Sequence, residues 1–161
     1  MMNRSLPLIA ILLGSLGYLP FLLCGLLAMG DNPIRGTQGM IGLIAYGAVI
    51  LSFLGAVHWG LALTDGAATA PVQRVRYGLG VLPALVGWVA LWLTLFAPEW
   101  VSLLILLAGF VVTPAVEARG AHLGYVPIRY MGLRWVLSVL VVALLGCVLV
   151  VRLVGAHVRY M

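Results

Sequence analysis

The sequence predicts an all-α integral membrane protein, a bundle of five transmembrane helices forming a single domain over residues 1–161. Hydrophobic residues make up 64% of the chain and charged residues only 8%, against about 25% charged residues in soluble domains. The charges also fall at the chain ends and in the short gaps between apolar runs. Such confinement is expected because a charge at the membrane centre costs at least about 2.5–3.5 kcal/mol.

Five apolar runs have about the length needed to cross 30 Å of hydrocarbon, which takes roughly 20 helical residues. The predicted spans are residues 6–29, 39–63, 77–96, 100–116 and 133–154. The first run is longer than the apolar region of a typical signal peptide, so we expect a retained span. The fourth run is the shortest, and Ala97-Pro98-Glu99 joins it to the third as a tight helical hairpin.

The arginines predict the orientation of the chain, since all nine basic residues are Arg. With five spans, six of them fall on the side of the N-terminus and three on the other side. The positive-inside rule therefore places the N-terminus in the cytoplasm and the C-terminus in the periplasm of a bacterial inner membrane. Because the arginines flank spans and form no basic run, they indicate topology and contact with lipid headgroups, and we expect no nucleic-acid partner. The two groups are Arg4, Arg74, Arg76, Arg119, Arg129 and Arg134, against Arg35, Arg152 and Arg159.

Small residues on the second span predict close helix packing, because Gly, Ala and Ser let helix backbones approach in lipid. One ribbon of small side chains recurs every four residues, at Ala48, Ser52, Ala56 and Gly60. Gly55 lies on nearly the opposite face, beside Leu51 and His58. We therefore predict that the second span is the central helix, whereas the Leu/Val-rich fifth span faces lipid. The predicted packing residues are Ala48, Ser52, Gly55, Ala56 and Gly60.

Prolines interrupt three of the spans, at Pro20, Pro83 and Pro114. Each removes one backbone donor and is expected to kink its helix. In the first span this would free the carbonyl of Leu16.

His58 is the one acid, base or histidine well inside an apolar run. It precedes Thr64 by six residues, so it lies about 9 Å from the predicted cytoplasmic end of the second span. Its ring nitrogens need partners away from water. A hydrogen-bonded structural histidine remains open beside a proton relay, a metal or haem ligand, and a quinone contact.

Other polar residues converge on the same predicted membrane surface. They are either solvated loop charges or a polar pocket in which His58 is the deepest member. In the pocket hypothesis, Arg134 holds Glu117 or an anionic ligand. The candidates besides His58 are Asp65, Glu117, Arg119, Tyr130 and Arg134.

Signatures of catalysis and metal binding are missing from the sequence. It contains no HExxH, GxSxG or CxxC, and no histidine pair at ligand spacing within a span. Cys24 and Cys147 both lie in apolar runs, where we expect them to pack as small apolar residues. We therefore predict no catalytic residue, no metal site and no cofactor.

The second span also carries a family resemblance, in Tyr46-Gly47-Ala48, Leu51-Ser52-Phe53-Leu54-Gly55 and His58-Trp59-Gly60. Together these resemble the signature of a bacterial and mitochondrial membrane family of unknown function that includes transmembrane protein 69. Further matches are Leu16-Gly17 with Pro20-Phe21, Pro83 with Trp88, and Gly124, Pro127, Tyr130 and Leu133-Arg134. The resemblance implies a small multi-span inner-membrane protein and supplies no substrate or reaction.

Three functions remain open at this point. The small size, slight loops and small-residue second span favour a non-enzymatic accessory, assembly or structural partner of a larger membrane complex. The alternatives are a small transporter or channel with His58 relaying a proton, and a quinone- or lipid-binding membrane protein or enzyme. The last would use His58 and the arginines of the cytoplasmic side.

Overall fold

The computed structural model describes residues 8–64, 69–122 and 128–158, with side chains for all of these except residues 10, 121–122, 128–130 and 156–158. This part of the chain is almost entirely helical and contains no strand, which confirms the predicted all-α class. The helices are α1 (Leu8–Leu16), α2 (Leu19–Met29), α3 (Pro33–Thr64), α4 (Ala70–Leu93), α5 (Glu99–His122) and α6 (Ile128–Val158).

Five helical segments are long and apolar enough to cross a membrane, as predicted. They are Ile11–Met29, Pro33–Thr64, Ala70–Leu93, Glu99–Gly120 and Met131–Gly155. Most extend beyond the predicted spans, because the helices continue through flanking polar residues. At the start of α3, for example, the side chain of Asn32 accepts the backbone N–H groups of Ile34 and Arg35, each at 3.1 Å.

The third and fourth spans differ from their predicted bounds. The third begins at Ala70 and ends at Leu93, whereas residues 77–96 were predicted; Pro71 lies in the first turn of α4, where a missing N–H costs nothing. The fourth, predicted to be the shortest, has 22 residues and is the most enclosed of the five, with 44% of its apolar window buried. The fourth span was predicted to be too short because of Glu117, since a charged residue after an apolar run is typical of the end of a span.

Two helices form the centre of the bundle. As predicted for a central helix, α3 packs against several neighbours, namely α2, α4 and α5, and α5 in turn packs against α4 and α6. The last helix buries one face and leaves the other exposed. Its buried positions follow a helical spacing of three and four residues, at Met131, Arg134, Ser138, Val141, Leu145 and Val148.

The closest helix approach joins α3 and α4. A Cβ atom on Gly55 would overlap the carbonyl oxygen of Gly80, and a Cβ on Gly87 would lie 2.9 Å from the Cα of Ala48. Here the predicted packing residues Ala48 and Gly55 are buried, and Ser52 is half-buried. Ala48 and Gly55 both face α4, so the prediction that they lie on nearly opposite faces is wrong. Seven residues are almost two full turns, which returns the helix to within about 20° of the same direction.

Ala56 and Gly60 were predicted to pack in the same ribbon, but both are exposed, and a Cβ on Gly60 would meet nothing within 4 Å among the described residues. The reason is helical geometry. Each step of four residues advances roughly 40° around a helix, so twelve residues turn the ribbon by about 120°. Small residues that face α4 at Ala48 therefore point away from it by Gly60.

The first span is broken where Pro20 was predicted to interrupt it. The α1 helix ends at Leu16 and α2 begins at Leu19, with Pro20 in its first turn. At the break, the Tyr46 hydroxyl of α3 donates a hydrogen bond of 2.8 Å to the carbonyl of Gly17. The carbonyl that accepts a hydrogen bond from another helix is thus that of Gly17. The sequence had predicted a freed carbonyl one residue earlier, at Leu16. By contrast, Pro83 and Pro114 lie within continuous helices.

Candidate functional site

Three charged or ionisable side chains meet at one end of the bundle. His58 precedes the end of α3, Glu117 lies near the end of α5, and Arg134 lies near the start of α6. These helix ends lie together because α3 and α5 run antiparallel to α4 and α6. We call this the arginine-rich end, since most of the arginines whose side chains are described lie towards it: Arg74, Arg76, Arg119 and Arg134, against Arg35 and Arg152.

Glu117 connects the other two side chains. Its Oε1 accepts a hydrogen bond of 2.9 Å from His58 Nε2, and its Oε2 accepts one of 2.8 Å from Arg134 Nε. Arg134 Nη1 also donates to Ser138 Oγ at 2.8 Å. His58 and Glu117 are fully buried, and Arg134 is 3% exposed. We call these four residues the buried charge network.

The network has a defined arrangement of protons and charge. A carboxylate only accepts, so the imidazole directs an N–H from Nε2 towards Glu117. Nδ1 has no hydrogen-bond partner within the described part of the chain. The charges of Glu117 and Arg134 then cancel. Removing either one would leave the other buried and uncompensated, which is costly in a low-dielectric interior.

An apolar cavity of about 430 Å³ lies beside the network. Arg134 is the one charged residue among its described lining residues, and Nη2 of its guanidinium has no hydrogen-bond partner among them or elsewhere in the described ranges. The walls come from the first span, α3, α5 and α6: Leu13, Gly14, Gly17, Tyr18, Phe21, Ile50, Phe53, Leu54, Val57, Phe110, Leu133, Arg134, Leu137, Ser138 and Val141.

The cavity opens sideways, towards the region where lipid would lie. The α1 helix packs against α6 and has no comparable packing against α3 in the described part, although residues from both α1 and α3 line the cavity. Leu13 of α1 and Phe53 of α3 are 61% and 66% exposed. On this side the cavity is therefore bordered by exposed apolar residues of two helices.

A second apolar groove, between α1 and α6, has no charged residue among its described lining residues. Its described lining includes Ile11, Ser15, Gly132 and Val136. It offers nothing comparable to the Arg134 guanidinium for the recognition of a head group.

The structure brings together only some of the predicted site residues. His58, Glu117 and Arg134 are in contact, including the predicted pairing of Arg134 with Glu117. Arg119 follows Glu117 by two residues on α5, which is about half a helical turn. It is exposed and takes no part in the network. Asp65 and the side chain of Tyr130 lie outside the described residues.

Two buried polar residues were missing from the predicted site. Ser138 was detectable, because it follows Arg134 by four residues and therefore shares its helix face. Arg76 was assigned to a loop, but it lies within α4, is 4% exposed and donates to the carbonyl of Leu61 at 3.3 Å. Its burial has no signal in the sequence, since it depends on how α4 crosses α3.

The donor set of the network does not form a metal site. It contains one imidazole and one carboxylate, and no group of three or more His, Cys, Asp or Glu residues converges within the described part of the chain. Glu117 is also fully engaged by its two partners. The arrangement can fix three helices, and it places on the wall of an apolar cavity an arginine whose Nη2 has no partner within the described residues.

A helical bundle with five segments that are long and apolar enough to cross a membrane defines a polytopic integral membrane protein. A protein family described as "Protein of unknown function (DUF3429)" matches residues 6–150, and the chain belongs to this family. All four residues of the buried charge network lie inside the matched range.

The chain is also similar to Transmembrane protein 69 from Xenopus tropicalis, with 35% identity over 88 residues. That alignment covers 55% of this chain and 34% of the relative, so the chain spans only about a third of the relative's length. Both findings confirm the resemblance noted in the sequence. No solved structure matches. Neither relationship supplies an activity, so the function must be argued from the site.

Proposed function

We propose that this protein binds an amphipathic membrane molecule in the cavity beside Arg134, with the acceptor group of that molecule hydrogen-bonded to the guanidinium. One observation carries the proposal: Arg134 is 3% exposed, yet its Nη2 faces no partner in the described ranges. An unpaired buried donor costs about 1–3 kcal/mol, and more when it is charged. A ligand that supplies an acceptor removes this cost.

The cavity suits a molecule that is mostly apolar. Its volume of about 430 Å³ falls in the range of about 300–1,000 Å³ that is typical of small-molecule sites, which combine apolar walls with few polar groups. The lateral opening allows the rest of a long molecule to remain in the bilayer. We place the protein in a bacterial inner membrane with its N-terminus in the cytoplasm, on the support of the arginine distribution.

The test is to analyse what co-purifies with the protein in mild detergent, by native mass spectrometry. We expect the wild type to retain an amphipathic molecule and Arg134→Lys to retain less, because lysine lacks the Nη2 donor. Leu54→Trp should lose the molecule, since Leu54 lines the cavity without belonging to the network.

Val49→Trp is the matched control, because Val49 also lies on α3 but is 60% exposed and outside the described cavity lining. It should retain the molecule as the wild type does. A wild type that carries no amphipathic molecule, or equal retention in Leu54→Trp, would contradict the proposal.

A second function, the predicted accessory role in a larger membrane complex, is supported by Ala56 and Gly60. These small residues lie on an exposed part of α3, whereas in membranes such residues usually mark a helix contact. We expect purification from native membranes to return stoichiometric partner subunits, and Gly60→Leu to release them. A lone chain with unchanged behaviour in Gly60→Leu would count against this role.

The transport alternative has less support. His58, its predicted proton relay, is fully buried, is engaged by Glu117, and is not among the described residues that line the cavity. A proton path through His58 would therefore have to bypass the cavity.

A further inference from the structure

We infer that the molecule bound beside Arg134 is a membrane quinone, a flat ring with neutral carbonyl groups and an apolar tail, and not an anionic lipid. This inference rests on the proposed function, because it names the class of ligand for the same cavity. Three features of the site lead to it: the charge balance at Arg134, the donors that face the ligand, and the aromatic side chains of the walls.

The charge of Arg134 is already neutralised. Glu117 contacts its Nε at 2.8 Å, and His58 contacts the same carboxylate. The charges of Glu117 and Arg134 cancel each other, and no other charged residue appears in the described lining. An anionic head group next to Nη2 would be close to the Glu117 carboxylate, in surroundings that screen charge poorly. A neutral acceptor avoids this repulsion.

A carbonyl oxygen fits the donors that remain. Nη2 of Arg134 has N–H groups without a partner within the described residues. Ser138 Oγ accepts from Arg134 Nη1, so its own hydrogen is free to donate to a second acceptor. Both residues line the cavity. One neutral oxygen with two lone pairs can accept from both without adding charge to the buried network.

Aromatic side chains form part of the cavity wall. Phe21 and Phe110 pack edge to face with ring centroids 5.8 Å apart, and Tyr18 lies 6.4 Å from Phe21. Flat rings pair favourably with such aromatic groups at similar distances. A ring that carries carbonyls therefore matches this wall better than a flexible acyl ester does. The tail would leave through the opening between Leu13 and Phe53.

The experiment uses the full chain in phosphatidylcholine nanodiscs prepared without quinone. Binding of decylubiquinone, oleate and decylbenzene is measured by native mass spectrometry and titration calorimetry. Decylubiquinone should bind saturably at one site. Decylbenzene, which has a ring and the same tail but no carbonyl, and oleate, which is anionic, should not.

Two variants locate the site. Arg134→Lys should weaken decylubiquinone binding by about tenfold or more, the loss expected for one hydrogen bond to a charged group. Leu54→Trp should abolish binding while leaving the network intact, so it remains informative if Arg134→Lys fails to fold. Val49→Trp should bind as the wild type does.

The outcomes separate the two proposals. Saturable binding of oleate that depends on Leu54 and Arg134, without binding of decylubiquinone, overturns the quinone inference and leaves the proposed function standing. Absence of saturable binding for every probe overturns both. Decylubiquinone binding that is unchanged in Leu54→Trp overturns the location of the site.

Discussion

Glu117 uses both of its carboxylate oxygens, one towards α3 through His58 and one towards α6 through Arg134. It is fully buried, so neither contact is weakened by water. Buried ion pairs are often no more stabilising than a well-packed apolar pair, but breaking one by removing a single partner is strongly destabilising. At the scale of residues, Glu117 is thus the side chain whose loss has the widest effect.

We expect Glu117→Gln to lower the free energy of unfolding by about 3–5 kcal/mol, because it leaves the Arg134 charge uncompensated. Denaturant unfolding in detergent measures this. Glu99→Gln, a half-buried glutamate in the first turn of the same helix, should cost less than about 1 kcal/mol.

The double substitution Glu117→Met with Arg134→Met should recover most of the lost stability, since it removes both charges together. If Glu117→Gln were as stable as Glu99→Gln, the buried charge network would not hold the helices together.

The sequence identified most of the network from a few residues. His58 was detectable because it is isolated in an apolar run, and Arg134 and Glu117 because both border predicted spans on one side. Which oxygen of Glu117 meets which partner depends on the rotation of three helices about their axes. That rotation is set by packing between helices that are distant in sequence. The cavity beside Arg134 had no local signal for the same reason.

At the scale of helices, the contact between α3 and α4 depends on glycine. A side chain at Gly55 would meet the backbone of Gly80, and backbone cannot move aside as the end of a flexible side chain can. Close approach of this kind supplies van der Waals packing, which is one of the contributions to helix association in lipid. The absence of a Cβ atom at Gly55 is what lets α3 approach the backbone of α4 so closely.

We therefore expect Gly55→Ala to lower the free energy of unfolding by about 1–3 kcal/mol through overpacking. Gly60→Ala is the control on the same helix, because a Cβ there meets nothing within 4 Å among the described residues. It should be neutral or stabilising by up to about 1 kcal/mol, as alanine favours the helix. Thermal unfolding of both variants in one detergent gives the comparison, and equal stabilities would contradict the close approach.

The break between α1 and α2 is held from α3 by the Tyr46 hydroxyl. Tyr46→Phe should cost about 0.5–1.5 kcal/mol, the usual contribution of one hydrogen bond, and should increase hydrogen exchange near Gly17. Tyr18→Phe is the matched control, since its 3.2 Å bond to the Leu140 carbonyl lies at an exposed position. Equal exchange near Gly17 in both variants would show that Tyr46 does not hold the break.

The existence and number of the spans could be predicted, but their ends could not. Runs of apolar residues indicate the part of a helix that crosses the membrane, whereas the helices continue beyond it through residues such as Arg35 and Pro71. Glu117 marks the end of the predicted fourth span, although α5 continues to His122. A buried charge in contact with its partners is indistinguishable, in sequence, from a charge in a loop.

At the scale of the whole molecule, the orientation of the bundle remains a prediction from its arginines. In a chain without Cys24 and Cys147, we expect Asp31→Cys to react with a membrane-impermeant maleimide on spheroplasts. Thr69→Cys lies at the arginine-rich end and should react only after the membrane is permeabilised. Both residues are exposed, so access to the reagent is not limited by burial. The reverse labelling pattern would show that the orientation is opposite to the predicted one.

The pairing of Glu117 with Arg134 also has a consequence for biosynthesis. The two residues are separated by 17 positions and lie on consecutive helices. A single charge within an apolar helix opposes membrane insertion by up to about 2.5–3.5 kcal/mol. If α5 and α6 leave the translocon as a hairpin, the two charges enter as a neutral pair. We expect a glycosylation-mapping assay to show more efficient insertion of α6 behind wild-type α5 than behind α5 with Glu117→Gln. Equal efficiencies would mean that the helices insert one at a time.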